Sequence, residues 1–182
     1  MQQKKKLREK YLKLRKKNYY PIDKTFFLPL LKLIKLRLNK KFFKIAIYYP
    51  SNFELDVIKL LEFNSISTQD ILLPATDKNN LMNFFSWKKK EVLYVNKYGM
   101  LEPSKTKVKI PDIILVPILA FDKNKYRLGY GKGYYDRYLN KYLKLKNILT
   151  VGVAFSFQRH HKLPINKKDV KLNYIITEKG VF

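Results

Sequence analysis

Between Arg127 and Arg137 the chain reads Arg-Leu-Gly-Tyr-Gly-Lys-Gly-Tyr-Tyr-Asp-Arg, the densest concentration of potential chemistry in the sequence. Gly129, Gly131 and Gly133 alternate, and without a Cβ they let a ligand approach the backbone closely. Arg127, Lys132 and Arg137 supply fixed positive charge, and Asp136 stands where a helix would begin. Backbone N–H groups, a helix N-terminus and cations together favour phosphate, and a neighbouring carboxylate can carry its magnesium. These residue types point to a nucleotide-phosphate site in an enzyme.

Spacing excludes two better-known phosphate loops. A Walker A loop closes on Gly-Lys-Ser/Thr, whereas Lys132 is followed by Gly133 and Tyr134, so the hydroxyl for magnesium is missing. A dinucleotide fingerprint needs Gly-x-Gly-x-x-Gly after the first strand, with an acidic residue about twenty positions later. Here the glycines follow a different spacing, late in the chain, without that acid. A plain glycine-rich turn would account for the glycines but not for the cations and Asp136 among them.

Such a loop needs elements to hold it. The apolar run Ile113–Val116, after Pro111, has the pattern of a strand buried on both faces of a parallel sheet. Tyr135, Tyr138, Leu139, Tyr142 and Leu143 recur at helical spacing, predicting a helix to about Leu145. Further helices are expected over Lys4–Lys17, from an Asp23 N-cap to about Leu38 with Pro29 kinking its early turns, and over Phe53–Phe63. Strands are expected at Lys44–Tyr49, Ile71–Leu73, Ile148–Ala154 and Tyr174–Ile176. Lys78 to Lys109 reads as short strands and turns, with Val92–Val95 the clearest strand. Strands alternating with helices imply a three-layer α/β/α sandwich with a mainly parallel sheet, in one domain over residues 1–182.

Composition narrows the function classes. With 182 residues and 46% apolar content the chain can bury one proper core. The absence of cysteine removes disulfides, thiolate metal sites and a cysteine nucleophile, and fits a reducing cytoplasm. The longest apolar run, Ile113–Phe121, is half the length of a membrane span and contains Pro117. The basic N-terminus before Phe26–Leu31 is not read as a leader, because Lys32 and Lys35 interrupt the apolar stretch. A net charge of +25 would attract polyanions. The lysines, however, are spread along the whole chain among Ile, Asn, Tyr and Phe, residues with AT-rich codons, so the charge reads as compositional. Nonspecific nucleic-acid binding at low salt is expected either way. His160 and His161 read as surface loop rather than metal ligands.

Val116-Pro-Ile-Leu-Ala-Phe-Asp122, followed by the segment from Tyr126 through the glycines to Leu139, resembles the signature of the 5-formyltetrahydrofolate cyclo-ligase (5,10-methenyltetrahydrofolate synthetase) family. The similarity continues in order through Lys4-x-x-Leu7-Arg8, Glu54 after a Tyr-Pro, and Gly99-x-x-Glu102-Pro103. It resumes at Val151–Gln158, Leu163-Pro164, Asp169 and Ile176-Thr-Glu178. The resemblance implies a NagB/RpiA/CoA-transferase-like fold and a cytoplasmic, monomeric enzyme with small-molecule substrates and no membrane partner. It implies closure of 5-formyltetrahydrofolate to 5,10-methenyltetrahydrofolate with ATP and Mg2+, through a phosphorylated formyl oxygen, releasing ADP and phosphate.

Site residues follow from the same resemblance. It implies nucleotide contacts from Lys4, Lys5, Lys6, Leu7 and Arg8, and from Arg127, Leu128, Gly129, Tyr130, Gly131, Lys132, Gly133, Tyr134 and Tyr135, with Arg127 and Lys132 catalytic. Tyr49 and Glu54 would contact the folate, and Tyr130, Gly131, Lys132, Gly133 and Tyr134 would be shared by both ligands. Asp136 and Asp169 would carry the magnesium. Thr76, Ile118 and Asn166 depart from the family pattern without removing any of these groups. The rival readings are a basic nucleic-acid-binding protein on this scaffold, or another ATP-dependent ligase or kinase.

Overall fold

The structure, a computed structural model, describes residues 2–77, 79 and 81–182. Its helices are α1 (Gln2–Asn18), α2 (Leu28–Arg37), α3 (Asn64–Ser67) and α4 (Tyr134–Tyr142). The strands of the main sheet are β1 (Lys44–Ala46), β2 (Asp70–Thr76), β3 (Met82–Ser86), β6 (Val108–Lys109), β7 (Ile113–Pro117), β10 (Leu149–Val153), β11 (Tyr174–Thr177) and β12 (Gly180–Val181). Two hairpins stand beside it, β4 (Tyr94–Val95) with β5 (Leu101–Glu102), and β8 (Ala120–Phe121) with β9 (Arg127–Leu128).

The eight-stranded sheet has the order β12-β11-β10-β7-β1-β2-β3-β6. Its five central strands, β11 to β2, run parallel, and antiparallel strands finish both edges. Alternation along β7 makes the layers. Ile113 and Leu115 pack with Leu30, Leu33 and Ile34 of α2, while Ile114 and Val116 pack with Tyr138 and Leu139 of α4. A strand apolar on both faces therefore lies between two helical layers, as its composition demands. The chain reaches β2 on one side of β1 and β7 on the other. The crevice outside the carboxyl ends of β1 and β7 is thus the switch point where open α/β sheets place ligands.

Several expected elements are redrawn. Pro29 does not kink a helix. Asp23 accepts from the Thr25 amide at 2.7 Å to cap a 3-10 turn, Lys24–Phe27, and α2 then starts with Pro29 in its first turn, where no N–H is needed. No α-helix covers Phe53–Phe63. Asn52 and Phe53 take left-handed φ of 49° and 61°, and Asp56 caps a 3-10 helix over Val57–Glu62. The first strand ends at Ala46 rather than Tyr49, and α4 ends at Tyr142 rather than near Leu145.

The strand expected at Ile71–Leu73 continues through Pro74 to Thr76. This is allowed because β1 pairs only with Asp70, Ile71 and Leu72, so no neighbour on that side needs an amide from Pro74. The main strand between residues 81 and 109 is β3, whereas only Tyr94 and Val95 of the expected Val92–Val95 are extended, both exposed. Lys78, where that segment was expected to open, lies outside the described residues.

Candidate active site

The glycine segment runs from β9 into α4 above the carboxyl end of β7. Gly131 and Gly133 have φ of 103° and 68°, a region that side chains with a Cβ rarely adopt. A Cβ on Gly131 would also lie 3.0 Å from the Arg8 guanidinium carbon. Gly133 is the N-cap of α4, with no side-chain cap, and the Arg137 amide already returns to its carbonyl at 3.0 Å. The amides of the first turn of α4 are thereby left to solvent or to an anion.

One face of α1 supplies the next shell. Lys4, Arg8, Tyr11 and Arg15 fall at i, i+4, i+7 and i+11, so all four point the same way. The helix rests on the β8–β9 hairpin, where Tyr11 packs with Leu119, Leu128 and Leu163, and Leu7 lies against that cluster. Arg8 Nε donates to the Gly129 carbonyl at 2.9 Å, tying helix to loop. Lys4 Nζ lies 2.6 Å from Asp169 Oδ2. Lys5 and Lys6 point outward and are exposed, so the structure brings Lys4, Leu7 and Arg8 to the site and leaves those two in solvent.

Asp136 and Asp169 converge from different parts of the chain. The Arg127 side chain is only 4% exposed, and its Nη2 donates to Asp136 Oδ1 at 2.7 Å while its Nη1 donates to the Val170 carbonyl at 2.8 Å. The Val170 amide also donates to Asp136 Oδ1, at 3.1 Å, so Asp136 binds the residue next to Asp169. Burial pushes the Arg127 guanidinium below its usual range, and the Asp136 carboxylate opposes this. Asp169 Oδ2 also accepts from the Asn166 amide at 2.6 Å, a bond that needs no acid at 166.

Asp136 Oδ2 and Asp169 Oδ1 accept no hydrogen bond among the described residues. No cluster of three or more His, Cys, Asp or Glu able to cage a metal occurs among the described residues. Magnesium does not need one. It is commonly held by one or two carboxylates, substrate phosphates and water. Two carboxylates with one oxygen to spare beside a phosphate-type loop fit that donor set.

Glu54 stands on the other side of the loop, 5% exposed, at the end of the left-handed Asn52-Phe53 turn. Its Oε2 accepts from the Ser51 amide at 2.9 Å and the Ser51 hydroxyl at 3.3 Å, and its Oε1 accepts from the Tyr130 hydroxyl at 2.9 Å. Burial pushes its pKa above the usual carboxylate range, while Arg15, Ser51 and Tyr130 pull it back. Tyr130 therefore joins the glycine loop to Glu54. Burial and the Glu54 charge push the Tyr135 hydroxyl above its usual range.

Tyr49 stands apart from this network, half-buried and edge-on to Trp87 at 6.3 Å. Lys132 is exposed with its ammonium 5.1 Å from the Tyr98 ring centre, and the Tyr134 hydroxyl donates to that of Tyr98 at 3.2 Å. The hairpin carrying Tyr98 is anchored by Glu102, which accepts from the Thr76 amide at 2.8 Å and from Asn96 Nδ2 at 2.7 Å.

Sequence reasoning missed Arg15 and Tyr98. Arg15 has a signal, seven positions after Arg8 on one helical face, but other basic residues of α1 obscure it. Tyr98 precedes Gly99 in a segment where side-chain direction cannot be read from spacing.

Comparison with known proteins identifies the family and the fold. The profile of the 5-formyltetrahydrofolate cyclo-ligase family matches residues 1–178. A probable 5-formyltetrahydrofolate cyclo-ligase of Schizosaccharomyces pombe is 32% identical over 129 residues, 62% of this chain and 63% of that relative. The solved 5,10-methenyltetrahydrofolate synthetase of Aquifex aeolicus superposes with a TM-score of 0.75 at 33% identity, covering 98% of this chain and 91% of that one. The Mycoplasma pneumoniae 5,10-methenyltetrahydrofolate synthetase gives 0.70 at 28% identity, covering 96% and 98%. With a family match over residues 1–178 and solved relatives that share the three-layer fold, the chain belongs to the 5-formyltetrahydrofolate cyclo-ligase family.

Proposed function

We propose that this protein closes 5-formyltetrahydrofolate to 5,10-methenyltetrahydrofolate at the expense of ATP, releasing ADP and phosphate. The observation that carries this reading is the Tyr130–Glu54 hydrogen bond, which makes a phosphate-type loop and a buried carboxylate parts of one site. A formamide oxygen is a poor leaving group. In the proposed reaction that oxygen attacks the γ-phosphorus and ADP departs. N10 then adds to the activated carbon, the N10 proton is lost to solvent, and phosphate leaves as the methenyl bridge forms.

No protein nucleophile is needed, so the residues act by placement and charge. The first-turn amides of α4, Arg8 and Lys132 would bind the phosphates. Arg127 acts as a positioning residue, because its guanidinium is engaged by Asp136 and Val170 rather than aimed outward. Asp136 and Asp169 would hold magnesium, which offsets phosphate charge. Glu54 would accept from an N–H of the folate and fix its orientation.

The test is growth of the methenyl product's absorbance when the purified protein meets 5-formyltetrahydrofolate. Growth only with Mg-ATP is expected, whereas no growth in a folded protein that binds ATP would point to another acceptor.

A further inference from the structure

Arg15 is 1% exposed near the end of α1 and has no role in the reaction as described so far. Its Nη1 donates to the Ile118 carbonyl at 3.3 Å. Its Nη2 donates to the Asn52 carbonyl at 2.7 Å and to the Tyr130 hydroxyl. Its Nε has no partner among the described residues. No carboxylate forms an ion pair with it among the described residues; its hydrogen-bond partners are carbonyls and a hydroxyl, and the guanidinium carbon lies 5.6 Å from the Tyr130 ring centre. That arrangement is costly for stability alone.

The inventory of donors gives it a purpose. A guanidinium can only donate, so the Tyr130 oxygen must accept from Arg15. A phenol has one proton, and that proton is therefore directed at Glu54 Oε1. Arg15 also holds the carbonyl of Asn52, one of the two left-handed residues that present Glu54. Glu54 Oε2 is occupied by Ser51, so Oε1 is the oxygen with acceptor capacity left for a substrate N–H.

We propose that Arg15 is a positioning residue for the folate half of the site, acting through Tyr130 and the Asn52-Phe53 turn to fix Glu54 as an N–H acceptor. This rests on the cyclo-ligase reading above. Tyr130 from the loop bonds Glu54, and Arg15 from α1, Tyr48 beyond β1 and Tyr135 from α4 lie close enough to interact with its charge. Arg15 is the cation among them, and it opposes the rise that burial imposes on the carboxyl.

The experiment compares wild type, Arg15→Gln, Arg15→Lys and Tyr130→Phe for the KM of each substrate and for the pH profile of kcat/KM toward the folate. Losing one hydrogen bond to a charged group should raise the folate KM by about tenfold or more in Arg15→Gln and Tyr130→Phe. The ATP KM should stay within about twofold in Arg15→Gln, since that change removes no phosphate partner. The acid limb of the folate profile should move to higher pH in Arg15→Gln and be restored toward wild type in Arg15→Lys.

A merely structural role would lower folded protein without separating the two KM values. If Arg15→Gln does not fold, Tyr130→Phe, which loses only a hydroxyl, decides. Folded variants with wild-type folate KM and acid limb, beside an active wild type, would overturn the proposal alone. An inactive wild type would overturn the cyclo-ligase reading and this proposal with it.

Discussion

Asp136 and Asp169 are given the same task but sit in different electrostatic settings, so their variants should separate chemistry from stability. The Lys4–Asp169 pair is partly exposed on both sides, and such pairs contribute about 0–1 kcal/mol. Asp169→Asn should therefore lower magnesium-dependent turnover by about 100-fold, as loss of a group stabilising developing charge does, with little change in Tm. Asp136→Asn should lose activity and also stability, on the order of 3 kcal/mol, because the buried Arg127 charge loses its counter-ion. Steady-state kinetics and thermal unfolding of the two proteins check both. Wild-type turnover in Asp169→Asn would remove that residue from the site. The glycine-flanked Asp136 and the cations near it were legible in the sequence. The burial of Arg127 was not, because its second partner, the Val170 carbonyl, lies 43 positions away along the chain.

At the scale of elements, the glycine loop depends on backbone conformation and on its contact with α1. Gly131→Ala should cost roughly 1–3 kcal/mol, the scale of a side chain forced into a sparsely populated φ/ψ region. It should also push against Arg8 and raise the ATP KM. Denaturant unfolding and ATP titration check this, and a variant unchanged in both would show that the loop tolerates a Cβ. The strands Ile113–Pro117 and Leu149–Val153 were legible because burial on both faces leaves a plain apolar run. The turn at Asn52 and Phe53 was not. Its Leu55, Ile58 and Leu61 spacing suits a 3-10 helix as well as an α-helix, and left-handed φ at non-glycine residues leaves no mark in composition. β3 was obscured for a related reason: an edge-side strand pairing across Pro74 has neither strict alternation nor a long apolar run.

Across the whole molecule, a further stabilising charge cluster sits at the end of the sheet away from the glycine loop. Asp112 lies at the amino ends of β1 and β7. Burial alone would raise its pKa, but the Lys44 amide at 2.8 Å and the Lys40 and Lys146 ammonium groups at 2.9 and 3.0 Å outweigh that and hold it at about 2. A carboxyl depressed on folding stabilises the protein above its unfolded value, near 4, and loses that contribution as pH falls toward about 2. Asp112→Asn should lose about 1.5–3 kcal/mol at neutral pH with kcat unchanged. The gap from wild type, read by urea unfolding, should narrow below about pH 4. A gap that stays constant with pH would contradict the assignment.

The net charge of +25 is spread along the whole chain. DNA binding seen at low salt should disappear near physiological salt, as expected of charge without a built nucleic-acid site. Tight binding that survived there would favour the nucleic-acid reading.

In the proposed reaction ATP activates the formyl oxygen of the folate in the site joined by Tyr130 and Glu54. Its most direct test is to run the reaction with a heavy-oxygen label in the formyl group of 5-formyltetrahydrofolate and to analyse the phosphate released. One labelled oxygen is expected in each phosphate formed with the methenyl product. Unlabelled phosphate accompanying full conversion would contradict it.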